Sequence, residues 1–149
     1  MFRNKIRTAS NLTVKDWQLL IQAWVLLLVV DWGLRILPFP RMKSFAGAPR
    51  PVKGFLSPEG VVVEIQRVWR MIRIASRNHL YSMTCLRRSL AMQRLLNRRG
   101  IKTVLRFGVQ KEAGQMQAHA WLEYNGEPIG EPETLTERYI TLVNHLQAP

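Results

Sequence analysis

The sequence predicts an α+β domain in which helices come first and a small antiparallel sheet follows. Three observations carry that expectation. Apolar residues recur at helical spacing as far as Gly100, alternation with period two takes over after it, and Asn125-Gly126 is the dipeptide of a tight hairpin. With 149 residues, 47% of them apolar and 21% charged, the chain is long enough to bury one core and too apolar for wholesale disorder.

Residues 15–37 form the first expected helix. Trp17, Leu20, Ile21, Trp24, Leu27, Leu28 and Leu34 recur along it, Thr13 and Asp16 resemble a capping box, and Pro38 and Pro40 end it. Its most apolar stretch, Leu19 to Val30, is interrupted by Gln22 and bounded by Asp16 and Asp31. That is shorter than the roughly 18–20 clean apolar residues of a spanning helix. A buried helix is expected, with no integral span; peripheral contact with a membrane or a partner is the alternative. The basic start, Met1 to Arg7, runs into polar residues, so no secretory signal is read there. Residues 41–58, with Gly47, Pro49, Pro51 and Gly54, read as a connector. The division is thus a helix and connector over 1–57 and a core over 58–149, forming one compact unit.

The second helix is expected over 58–78, with Ser57 as its cap and Pro58 in its first turn. Ile65, Val68, Trp69, Ile72 and Ala75 make its apolar stripe, and Arg67, Arg70, Arg73 and Arg77 crowd its outer faces. The third helix, about 83–99, is capped by Ser82 or Thr84 and stops at Gly100. Strands follow at 103–109, 117–124 and 127–129, with turns at 112–114 and Asn125-Gly126, and residues 136–146 read as a closing helix.

Charge is uneven. Residues 41–100 hold 13 basic and 2 acidic side chains, whereas residues 101–149 hold 4 basic and 6 acidic. A basic middle points to an acidic peptide, an acidic partner or nucleic acid. The single cysteine excludes an internal disulfide and a thiolate-only metal site, which makes the reducing cytoplasm the default compartment. His79 and His145 lack ligand spacing, so neither a metal nor a cofactor is expected.

The chemistry centres on that cysteine, Cys85, at the start of the third helix. Unpaired N–H groups and the helix dipole favour a thiolate there, and Arg87 and Arg88 add positive charge. His119 lies in an alternating strand with Gln117, Trp121 and Glu123 on one face, which suits a general base and then a general acid. The Cys85 N–H is a candidate oxyanion donor, with Gln117 as a possible second; Trp121 either shapes a substrate groove or fills the core.

The stretch Cys85-Leu86-Arg87-Arg88-Ser89-Leu90-Ala91 through Leu95-Leu96-Asn97-Arg98-Arg99-Gly100, followed by Ala118-His119-Ala120-Trp121-Leu122-Glu123, resembles the leader peptidase of lasso peptide biosynthesis. That family belongs to the transglutaminase-like (papain-like) cysteine protease superfamily. The resemblance implies a bacterial enzyme that cuts the leader from a ribosomally made precursor peptide. A separate ATP-dependent macrolactam cyclase then closes the ring. Without room for a recognition domain, the chain resembles the stand-alone peptidase of split systems, which relies on a small separate leader-binding protein.

The resemblance also implies a third catalytic group, an aspartate shortly after the histidine strand; the matching position here is Glu131. A strict two-residue turn at Asn125-Gly126 pairs Ala120 with Glu131 and leaves Glu131 on the face opposite His119. A three-residue loop or a bulge brings Glu131 and Glu133 to the histidine face, and Pro128 argues against a fully regular ladder. Glu131 is the favoured acid, Glu133 the next, and Glu123, on the histidine's own strand face, a third. Other functions stay open at this level: a basic nucleic-acid-binding protein, an acyl-transfer enzyme, or a non-catalytic scaffold in a peptide-maturation complex.

Overall fold

The computed structural model describes residues 12–47, 57–112, 115–132 and 135–142. Four helices come first: α1 (Val14–Ile36), α2 (Phe39–Gly47), α3 (Pro58–Arg77) and α4 (Cys85–Asn97). The strands β1 (Val104–Glu112), β2 (Gln115–Tyr124) and β3 (Glu127–Pro128), a short α5 (Leu135–Arg138) and β4 (Ile140–Thr141) complete the order. The sheet is antiparallel throughout in the order β3-β2-β1-β4. The expected α+β class, helices before a small antiparallel sheet, is what the chain adopts.

The caps explain the helix starts. Thr13 accepts from the Asp16 N–H while the Asp16 carboxylate accepts from the Thr13 N–H, a complete capping box. Asp16 also accepts from Arg67 Nε at 2.6 Å, which ties the start of α1 to α3. Ser57 accepts from the Gly60 N–H, and Pro58 sits where its missing N–H costs nothing.

Helix α4 is the hub. From Ser89 to Asn97 every residue is buried, and the helix packs against α1, α2, α3 and β2. Leu90, Leu95 and Leu96 have no exposed surface, as expected of positions enclosed on several sides. Asp31 of α1 is buried between Arg35 Nε at 3.1 Å and Arg87 Nε at 2.7 Å. The Arg87 approach is close but off the hydrogen-bond direction, so it is an ion pair rather than an aligned hydrogen bond.

Two expected segments fold differently. The connector reading fails over residues 41–47, which belong to helix α2 (Phe39–Gly47). Pro40 lies in its first turn, where proline is tolerated, and Met42 and Ala46, one turn apart, are buried. The Asn97 side-chain amide donates to the Ala46 carbonyl at 2.8 Å, satisfying an acceptor at the end of α2. The closing helix over 136–146 is also corrected: α5 ends at Arg138, and Ile140–Thr141 pairs with Val109 and Gly108 as an edge strand. Residues 48–56, 113–114 and 143–149, including His145, lie outside the described residues.

Helix α1 is apolar on two sides. Leu19, Ala23, Leu26, Leu27 and Val30 are buried, while Trp17, Ile21, Val25, Val29 and Trp32 are exposed. Although its apolar run was expected to be too short for a span, the complete 23-residue helix is long and apolar enough, by length and composition alone, to cross a membrane.

Candidate active site

Cys85 is the first residue of α4, and Thr84 is its cap. The half-buried thiol thus lies where helix N–H groups lack intrahelical partners. The opposing strand is fixed by register: β2 pairs with β1 along nine residues, placing His119 across from Gly108. The Ser89 hydroxyl, one turn into α4, donates to the Ala120 carbonyl at 3.1 Å and docks the cysteine helix beside the histidine strand.

That docking needs a free strand edge. The β2–β3 ladder extends only through Tyr124↔Glu127, Glu123↔Pro128 and the Ile129 N–H to Leu122 carbonyl bond. Beyond it, the backbone of Ala120 is available to α4. Its carbonyl takes Ser89, and its backbone hydrogen bond to Cys85 helps to hold the thiol's pKa down.

The hairpin has the strict two-residue turn, with Asn125 and Gly126 both at positive φ. In a continued ladder Glu131 would face away from His119. The chain instead leaves the ladder at Gly130, whose φ is 68°. Glu131 Oε1 consequently lies 3.0 Å from His119 Nε2. Gly130 has a second constraint: a Cβ there would fall on the Trp69 indole. Neither a three-residue loop nor a bulge is required to bring the acid round.

With Nε2 engaged by Glu131, Nδ1 is the ring nitrogen left for Cys85. A hydrogen bond from His119 is the main reason that the Cys85 thiol is held below the usual thiol range, with bonds from Ala120 and Leu86 adding to it against the cost of burial. The same contact, then Glu131, raises His119 to about 9. The two residues titrate as a pair, and both shifts favour thiolate and imidazolium together.

The histidine is held on its faces as well. Trp121, almost fully buried, stacks beside it with ring centroids 6.0 Å apart, and Tyr139 packs at 5.4 Å. A Cβ at Gly108 would come within 2.8 Å of Trp121 and 2.9 Å of Tyr139, so that position must stay small. Tyr139 carried no motif or spacing signal and is a neighbour that sequence reasoning missed.

The other acids and donors sort by their contacts. Glu123 is buried and accepts from Arg106 Nε at 2.8 Å and Trp121 Nε1 at 3.2 Å, which fixes the tryptophan and does not reach His119. Glu133 lies outside the described residues. Gln117 is exposed and accepts from Gln110 at 3.0 Å; it does not line the cleft. Arg87 turns to Asp31 and is likewise absent from the cleft wall, whereas Arg88 lines it. His79 Nε2 lies 3.3 Å from the Trp24 carbonyl, and no group of three metal-ligating side chains occurs among the described residues.

The cleft measures about 300 Å³. Cys85, His119 and Glu131 share it with Trp69, Arg73 and Arg77 of α3, Arg88 and Met92 of α4, and Ile129. Fold and site together describe an α+β protein with a thiol, an imidazole and a carboxylate lining one cleft. Residues 24–144 match the family model of the transglutaminase-like superfamily, and the chain belongs to that superfamily. No curated protein and no solved structure matches the chain.

Proposed function

We propose that the chain is a cysteine peptidase that removes the leader from a ribosomally made lasso peptide precursor. The observation that carries the reading is one cleft that brings together a helix-terminal thiol, an imidazole and a carboxylate 3.0 Å from that imidazole. In the proposed reaction the Cys85 thiolate attacks the scissile carbonyl, forming the C–S bond. The Cys85 backbone N–H, at the open end of α4, donates to the developing oxyanion. His119 gives its proton to the departing amine as the C–N bond breaks. It then takes a proton from the water that hydrolyses the thioester. Glu131 orients the ring and stabilises its charged form.

The released amine is the substrate that a separate ATP-dependent macrolactam cyclase requires. A small leader-binding protein would deliver the precursor, and all three would work in the bacterial cytoplasm. These assignments rest on the resemblance of the Cys85 and His119 segments to the lasso leader peptidases. Mass spectrometry of a precursor incubated with the chain and the leader-binding protein tests the reading. A single cut between leader and core, lost in Cys85→Ala and His119→Ala, is expected. Full cleavage by Cys85→Ala would refute the mechanism.

A further inference from the structure

The cleft holds more cationic groups than the chemistry above uses. Arg73 and Arg77 lie one turn apart on α3, and Arg88 lies one turn beyond Cys85 on α4; all three line the space containing the thiol. Arg73 stacks its guanidinium over Trp69 at 5.1 Å, a contact that leaves its charge unneutralised. Arg77 and Arg88 have no carboxylate partner among the described residues, and all three arginines are exposed. On the same helices, Arg67 is paired with Asp16 and Arg87 with Asp31, and neither lines the cleft.

Among the described residues, the only carboxylate lining the cleft is Glu131, and His119 already occupies it. A thiolate–imidazolium pair is neutral overall, so three guanidiniums face a single committed carboxylate. Such a wall concentrates anions near the thiol and repels cations. Guanidinium forks also match carboxylates in a planar, two-point manner.

We propose that Arg73, Arg77 and Arg88 form a carboxylate-binding wall, and that the peptide entering the cleft carries acidic side chains close to the bond presented to Cys85. The proposal rests on the reading of Cys85 as the nucleophile and adds the substrate's charge class. A peptide fits better than a nucleic acid because the arginines line a cleft of about 300 Å³ shared with the thiol, rather than an open basic face.

Cys85 is the chain's sole cysteine, so alkylation reports this cleft alone. The ratio of the rates with iodoacetate and iodoacetamide compares an anionic probe with a neutral one. At low salt the ratio at Cys85 is expected to exceed that of N-acetylcysteine amide about tenfold. It should fall towards that reference in about 0.5 M sodium chloride, where the screening length is only a few ångströms, and in Arg77→Gln/Arg88→Gln. A ratio equal to the free thiol's, or unchanged by salt and by the double variant, overturns the proposal.

Protection of Cys85 from iodoacetamide then tests the ligand class. A glutamate-containing peptide should protect at lower concentration than its glutamine isostere or a single-stranded oligonucleotide. Equal protection by the two peptides, or stronger protection by the oligonucleotide, contradicts the assignment. The two readings separate cleanly: an anion-seeking thiol that cuts no precursor retains the arginine wall and removes the peptidase. A peptidase indifferent to peptide charge does the reverse.

Discussion

His119 Nε2 lies 3.0 Å from Glu131 Oε1, although the regular hairpin between them would put the two side chains on opposite faces. The reversal is made at Gly130, after the ladder has ended. The orientation of the acid is therefore a property of one backbone position rather than of the strand pairing.

Glu131→Gln preserves the size of that side chain and removes its charge. Glu131 contributes to raising His119 to about 9, so its loss lowers that value towards the imidazole's ordinary range. A raised histidine pKa adds stability that is complete below the unfolded value, near 6.5, and is lost as pH rises through about 9. Glu131→Gln should shift the alkaline limb of peptide cleavage to lower pH, narrow that stability window and reduce the rate by about 10²–10⁴. Histidine titration by NMR and pH–rate profiles check the shift and the rate loss together.

Gly130→Ala should be costly for two reasons. The left-handed backbone costs a residue with a Cβ about 1–2 kcal/mol, and here the Cβ would meet Trp69. Chemical denaturation should show at least that loss, and the His119 pKa should fall as Glu131 moves away. A folded Gly130→Ala protein with an unshifted His119 would show that the turn does not position the acid.

Arg87 should act on stability rather than on substrate. Its Nε lies 2.7 Å from the buried Asp31 carboxylate, across the junction of α1 and α4. Arg87→Leu leaves that carboxylate with Arg35 alone and should destabilise the fold by about 2–4 kcal/mol. Equilibrium denaturation checks the value, and the iodoacetate preference of Cys85 should survive in the folded variant.

Much of this arrangement was legible in residue order. Caps at Thr13 and Ser57, the helix beginning at Cys85 and the Asn125-Gly126 turn all rest on interactions within a few residues, which local pattern reports well. Helix α2 was hidden because Pro38, Pro40 and Gly47 read as breakers, while its stability comes from Met42 and Ala46 packing onto distant helices. Strand β4 was hidden for a related reason: two residues carry no period, and only the β1 edge makes them a strand. Within the site, Cys85, His119 and Glu131 were each identifiable, but the turn at Gly130 was not. Its positive φ and its fit against Trp69 join segments some sixty residues apart, a relationship that hairpin register alone misdirects.

The most direct test of the central claim is the rate of iodoacetamide alkylation of Cys85 as a function of pH. Because Cys85 is the only cysteine, the profile belongs to one thiol. A thiol depressed by His119 keeps reacting as pH falls well below the ordinary value of roughly 8.5, and in His119→Ala the inflection should return towards that value. A single inflection near 8.5 in the native chain, unmoved by His119→Ala, would contradict an activated Cys85–His119 pair.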